Sequence, residues 1–148
     1  MLFRSLGVDW APAVRAILDA PQGAVAVLGV HTPRASLFGQ EWTDNRDLAL
    51  RAIPAAIRDL PTPRVVLGDC NATRWTQAFR EMLAASGLVD TADGAGWQPT
   101  WPVSLPTFLR IPIDQVLVEP TLQVRRRWIG PETGSDHLPV YVEFDLPR

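Results

Sequence analysis

The chain predicts an α/β layered fold, on two observations. In its first part, short apolar runs of strand type alternate with stretches of helical spacing, and its final third is strand-rich without helical periodicity. At 148 residues it is one domain, 1–148, long enough to bury a real core. No internal repeat, low-complexity tract or linker divides it.

Val14 to Leu18 and Ala24 to Val30 are apolar runs joined by Asp19-Ala20-Pro21-Gln22-Gly23, whose Pro and Gly mark a turn. They predict a β-hairpin whose second strand ends at His31, followed by a loop over 32–40. Glu41 to Leu60 has helical spacing, with Leu50, Ile53, Ile57 and Leu60 on one face, and Pro54 is expected to kink or split it. Arg64 to Leu67 reads as a short buried strand. A second helix is expected with Trp75, Phe79, Met82 and Leu83 on its buried stripe and Gly87 at its C-cap. Residues 90–110, rich in Gly, Pro and Trp, read as a long loop, and loops of that length in compact domains usually serve a site. Ile113 to Val118, Leu122 to Ile129 and Leu138 to Phe144 complete the predicted strands.

Fourteen basic and sixteen acidic side chains leave a net charge of −2, which is not the basic footprint of a protein holding long nucleic acid by its phosphates. The balance leans toward a small phosphoester. The lone Cys70 cannot form an internal disulfide, and its alternation with Asp69 and Asn71 makes it a small core residue rather than a nucleophile. No apolar run approaches a membrane span, and 1–10 lacks the apolar stretch of a signal peptide. The expectation for the chain as given is a soluble, cytoplasmic protein.

Three motifs follow in order: Gly68-Asp69-Cys70-Asn71-Ala72-Thr73, Ile113-Asp114-Gln115-Val116, and Gly134-Ser135-Asp136-His137-Leu138-Pro139. Each places an acid beside or within a run of strand formers. Together they offer three carboxylates, a carboxamide and an imidazole, the side chains needed for metal-assisted attack of water on a phosphate ester. One Gly-Asp turn alone would carry little weight. Three ordered motifs carry much more.

Taken one at a time, each residue has a bland alternative. Asp69 could open a turn or cap the following helix, and Asn71 could form an Asx-turn. Asp114, inside an apolar strand, needs a partner; a salt bridge to Arg110 or to one of Arg125 to Arg127 is the bland choice. A structural histidine competes at His31. Trp101 packs between loop and sheet, while Trp97 is a candidate stacking surface. Arg74 is placed to meet phosphate. Arg125 and Arg127 share a strand face, for which a solvated edge is the default.

The motif set and order resemble the endonuclease/exonuclease/phosphatase superfamily, which includes DNase I-like nucleases. A bacterial YafD-like branch is the nearer likeness, through GD-x-NAT (68–73), Thr100-Trp101-Pro102, 112–117 and GSDH-x-PV (134–140), with Gln115 standing where that branch usually has His. The resemblance implies a DNase I-like layered sandwich and an Mg²⁺-dependent phosphoesterase, with Mn²⁺ as substitute. It implies that Asp69 aligns and deprotonates the attacking water, that Asn71 hydrogen-bonds the charge at phosphorus, that His31 contacts the phosphate and His137 the phosphate or the water, that Asp114 pairs with His137, and that Asp136 approaches the metal. Thr73 is expected to cap a helix. The family's early Asn and Glu have no counterpart here, so the chain resembles the C-terminal portion of the domain, lacking its N-terminal half. A homodimer, a partner or a missing N-terminal segment would then complete the fold. Members of the branch often carry membrane helices ahead of this domain, which makes an anchored parent protein a further expectation. The substrate expected is a phosphoester of nucleic acid, lipid or a small molecule. The rival expectation is a catalytically silent fragment that serves as a binding module.

Overall fold

The computed structural model describes residues 2–6, 11–35 and 40–147. The strands are β1 (Leu2–Ser5), β2 (Pro12–Ala20), β3 (Gly23–His31), β4 (Arg64–Asp69), β5 (Val89–Asp90), β6 (Asp114–Val118), β7 (Gln123–Ile129) and β8 (Val140–Asp145). The helices are α1 (Gln40–Arg58), between β3 and β4, and α2 (Gln77–Ser86), between β4 and β5. Six strands form one mixed sheet in the order β1-β2-β3-β4-β6-β5, and β7 pairs with β8 outside it. The single parallel pair of that sheet, β3 with β4, requires a crossover connection, and α1 supplies it.

Both helices cover one face of the sheet. Leu50, Ile53 and Ile57 on α1 and Phe79 and Met82 on α2 recur at helical spacing, and all are buried against Leu28, Val30, Val66 and Leu117 of the sheet. The other face has a smaller core of Val25, Val65, Val118 and Leu122, with Phe144 and Leu146 partly buried against it. Beside that core lies an open cleft of about 1350 Å³, whose lining includes Leu18, Val27, Leu67, Val116 and Tyr141.

Several sequence expectations shift. The hairpin strands are longer than read, and β1, before them, went unread. The loop over 32–40 is non-regular at 32–35, and 36–39 lie outside the described residues. Pro54 sits inside α1 without ending it, so the loss of one N–H is tolerated there. The second helix begins at Gln77 behind Thr76, so Thr73 is not its cap, and Trp75 is exposed rather than on the buried stripe. Gly87 closes that helix in the left-handed conformation, as its position suggested. The long segment 91–113 contains a single 3₁₀ turn, Thr107–Leu109, and a bridge between Trp101 and Ile111. No helix among the described residues is long and apolar enough to cross a membrane.

Candidate active site

Register builds the site. His31 at the end of β3 lies opposite Asp69 at the end of β4, and Asp69 lies opposite Asp114 at the start of β6. Three side chains with chemistry thus stand in one row across three adjacent strands, at the end of the sheet where two strands finish and the third begins. Gly68 makes the approach feasible. Its φ is +142°, and a Cβ there would lie 1.9 Å from the Val30 carbonyl oxygen, so only glycine lets β4 come this close to β3. The strand end is tied on both sides, by Thr32 N donating to Asp69 O (3.0 Å), Thr32 Oγ1 to Cys70 O (2.6 Å) and Cys70 N to Ile113 O (3.0 Å).

Asp69 accepts two bonds from Asn71, one from its backbone N to Oδ1 (2.8 Å) and one from Nδ2 to Oδ2 (3.2 Å). Asn71 holds a left-handed φ of 43°, and its Nδ2 also donates to Thr32 O at 2.8 Å. The Asx-type turn therefore belongs to Asp69, and the Asn71 amide orients that carboxylate. Burial pushes the Asp69 carboxyl above its ordinary value; the Asn71 N–H opposes the shift and the Asp114 charge adds to it.

His137 Nδ1 lies 2.8 Å from Asp114 Oδ2, so the imidazole meets the Asp114 carboxylate, while Arg127 reaches only the Asp114 backbone carbonyl, at 3.3 Å. With Nδ1–H donating to that carboxylate, Nε2 faces Asp69 Oδ2 at 3.9 Å. His31 Nε2 approaches the same oxygen from the other side at 3.6 Å, on a side chain that is 66% exposed. The loop bearing His137 turns at Gly134, φ +88°, and Ser135 Oγ accepts the His137 backbone N–H.

Asp136 faces elsewhere. It is exposed, its Oδ2 accepts the indole N–H of Trp101 (3.2 Å), and its carbonyl accepts Val103 N (2.9 Å). Trp101 is half-buried beside the His137 ring, centroids 6.2 Å apart, and the Arg34 guanidinium lies over the Trp101 ring, 5.3 Å from its centroid. Trp97 stacks on Trp75 at 5.9 Å, and Arg74 is taken up by Asp93 and lies near Asp90. Cys70 is buried, and burial pushes its thiol well above the ordinary range.

Asp69, Asp114 and His137 each offer one ligand atom, all within 4.8 Å of one another, and Asp136 does not belong to this set.

Two residues have roles that the sequence reading did not give them. Gln115 is buried and its Nε2 donates to Pro112 O (3.0 Å) and Ala72 O (3.3 Å), pinning the turn after Asp69. Arg127 is buried too, which corrects the solvated-edge expectation. A register shift between Val124 and Arg126 breaks the alternation on which that expectation relied.

The sequence pattern of the Endonuclease/Exonuclease/phosphatase family matches residues 2–137. The chain belongs to this family. No curated protein matches the sequence. Among solved structures it is similar to an endonuclease/exonuclease/phosphatase from Beutenbergia cavernae (TM-score 0.75, 22% identity, 93% of this chain, 40% of the other). It is similar as well to one from Bacteroides vulgatus (TM-score 0.73, 21% identity, 92% and 55%). A third is the inositol polyphosphate 5-phosphatase domain of SPsynaptojanin, in complex with inositol (1,4)-bisphosphate and calcium ion (TM-score 0.71, 17% identity, 98% and 53%). These likenesses establish the family's DNase I-like α/β fold. The chain spans roughly half or less of the length of each of these three.

Proposed function

We propose that this chain carries a metal-dependent phosphoesterase site that directs water at a phosphoester of a small molecule, lipid or nucleic acid. One observation supports it above the others: the Asp114–His137 contact leaves His137 Nε2 facing Asp69 Oδ2 at 3.9 Å. In this reading Asp69 aligns the water and takes its proton. A base is most effective with a pKa near the working pH, and the upward push on Asp69 moves in that direction. His137, its Nδ1–H held by Asp114, presents the Nε2 lone pair to the site, and His31 reaches the phosphoryl group from the exposed side. Asn71 gives up its longer bond, to Asp69 Oδ2, to stabilise charge at phosphorus.

The donor set fits a divalent cation. Two carboxylates on neighbouring strands and one imidazole nitrogen lie within reach of one ion, and its charge would relieve the proximity of Asp69 and Asp114. Asp69, Asp114 and His137 would hold it, and Asp136 would join them only by leaving the Trp101 indole; Mg²⁺ is the proposed ion and Mn²⁺ its substitute. When bound, the ion supplies Lewis-acid stabilisation of charge on the phosphoryl group. The proposed likeness to the YafD-like branch rests on 68–73, 100–102, 112–117 and 134–140. The buried lone cysteine suits a reducing compartment, and the cytoplasm is the proposed location.

The test is hydrolysis of a simple phosphodiester and of plasmid DNA with Mg²⁺ or Mn²⁺ against chelator, beside His137→Ala. Metal-dependent turnover lost in the variant is the expected result; equal rates in both proteins would refute the site.

A second reading has a specific observation behind it. The chain spans 40–55% of the two bacterial relatives above, and the sheet face opposite the helices opens into a cleft lined largely by apolar side chains. A homodimer or an additional N-terminal segment would cover that face, and without either the domain is a catalytically silent binding module. Solution mass together with the assay separates these cases: a folded, inactive monomer supports the silent module.

A further inference from the structure

We propose that Arg127 is the positioning residue of the Asp114–His137 pair, locking the β7–β8 hairpin, whose connecting loop carries His137, onto the strand that carries Asp114. The proposal takes its catalytic meaning from the phosphoesterase reading, but its geometry stands apart from it.

The hairpin belongs to neither edge of the six-stranded sheet, so no strand ladder sets the distance between His137 and Asp114. Side chains and loops must do so. Of the three consecutive arginines on β7, Arg125 pairs with Asp145 in solvent and Arg126 lies over the Trp128 ring. Arg127 turns inward. Its Nη2 donates to the carbonyl oxygen of Asp114 itself (3.3 Å), its Nη1 to Thr91 Oγ1 (2.9 Å) and its Nε to Gln98 Oε1 (2.8 Å). Thr91 is in turn fixed to β6, donating to Val116 O from both its backbone N (3.1 Å) and its hydroxyl (2.7 Å). Gln98 Nε2 returns a bond to the Arg127 carbonyl at 3.2 Å, which closes the link between hairpin and long loop.

One guanidinium therefore grips β6 at two places, directly at Asp114 and through Thr91 at Val116. A planar fork with several donors can do this; a lysine ammonium, a point donor on a flexible stem, cannot span the same three acceptors. All three acceptors are neutral, and a buried cation needs charge nearby. Asp90, fully buried, and Asp114 supply it. Asp90 Oδ2 has no hydrogen-bond partner among the described residues, which fits its service as a counter-charge between Arg127 and Arg74, whose Nε is 3.7 Å from it.

The test reads the pair and not turnover. The chain has only two histidines, so a downfield imidazole Hδ1 signal is simply assigned by proton NMR of the full chain. His31→Ala is expected to keep the signal and Asp114→Asn to remove it. Arg127→Lys, folded by its cooperative melt, is expected to lose or shift it, and in an active enzyme to lower kcat about 10–100-fold with KM little changed, the size seen when a partner behind a functional side chain is removed. An unmoved signal in folded Arg127→Lys would overturn the proposal, as would the absence of any Asp114-dependent signal in the unaltered protein. If Arg127→Lys does not fold, Thr91→Val and Gln98→Ala remove its acceptors singly. A shifted signal in either supports the lock, and unmoved signals in both refute it. Loss of the signal in a chain with no hydrolytic activity would sink the phosphoesterase reading and leave the positioning role standing.

Discussion

On the helix side of the sheet Leu28, Val66 and Leu117 are wholly buried beneath α1 and α2, whereas on the opposite side Leu18 and Leu67, from the same sheet, stand 56% and 39% exposed along the open cleft. Val65, Val66 and Leu67 form a near-continuous apolar run, which is how strands read when both of their faces are covered. Only one face is covered by helices here. The difference teaches that the strands are composed for two packed layers, and that the row His31, Asp69, Asp114 sits at the strand ends where the closed and open sides meet.

Predictions follow from pressing on each side. The largest effect belongs to the site. His137→Ala is expected to remove about 10²–10⁴-fold of any hydrolytic rate, the usual contribution of a positioned proton donor or acceptor. Phe79→Ala, on the closed face, is expected to cost about 3–5 kcal/mol in a denaturant melt. Asp114→Asn disturbs orientation without deleting the imidazole, so a loss of about 10–100-fold is expected, less than that of His137→Ala. Leu67→Ser on the open face separates the two sides most sharply: a change within about 0.5 kcal/mol is expected if the face is bare in solution. A loss comparable to that of Phe79→Ala would mean that something covers it, and sedimentation would say whether a second copy does. Smallest of all, Arg126→Ala, on an exposed side chain, is expected to leave most of the activity. A loss equal to that of His137→Ala would undo the site assignment.

Much of this was legible in the sequence because the chemistry is local to strand ends. Asp69 and Asp114 were readable from Gly68-Asp69 and from an acid placed in an apolar strand; the cost of burying a lone carboxylate called for a partner to Asp114, and the family resemblance named His137 as that partner. Helical spacing placed Leu50, Ile53, Ile57, Phe79 and Met82 on the core. What escaped depended on three-dimensional accidents of register and direction. The shift at Val124–Arg126 turns Arg127 inward against the alternation, and nothing in three adjacent arginines announces it. Asp136 and His137 are neighbours in sequence, yet one meets Trp101 and the other Asp114, a divergence set by the turn at Gly134. Trp75 lay one helical turn too early because Thr76, and not Thr73, starts the helix.

Cys70 lies between Asp69 and Asn71, is the chain's single thiol, and is sealed on the core side while burial suppresses its thiolate. It is therefore a built-in clock for opening of this segment. Alkylation can proceed only when β4 parts from its neighbours, so the labelling rate counts those openings without a probe being introduced. Any ion or phosphoester that grips Asp69 should slow the clock in proportion to its occupancy, giving a binding measurement that needs no turnover.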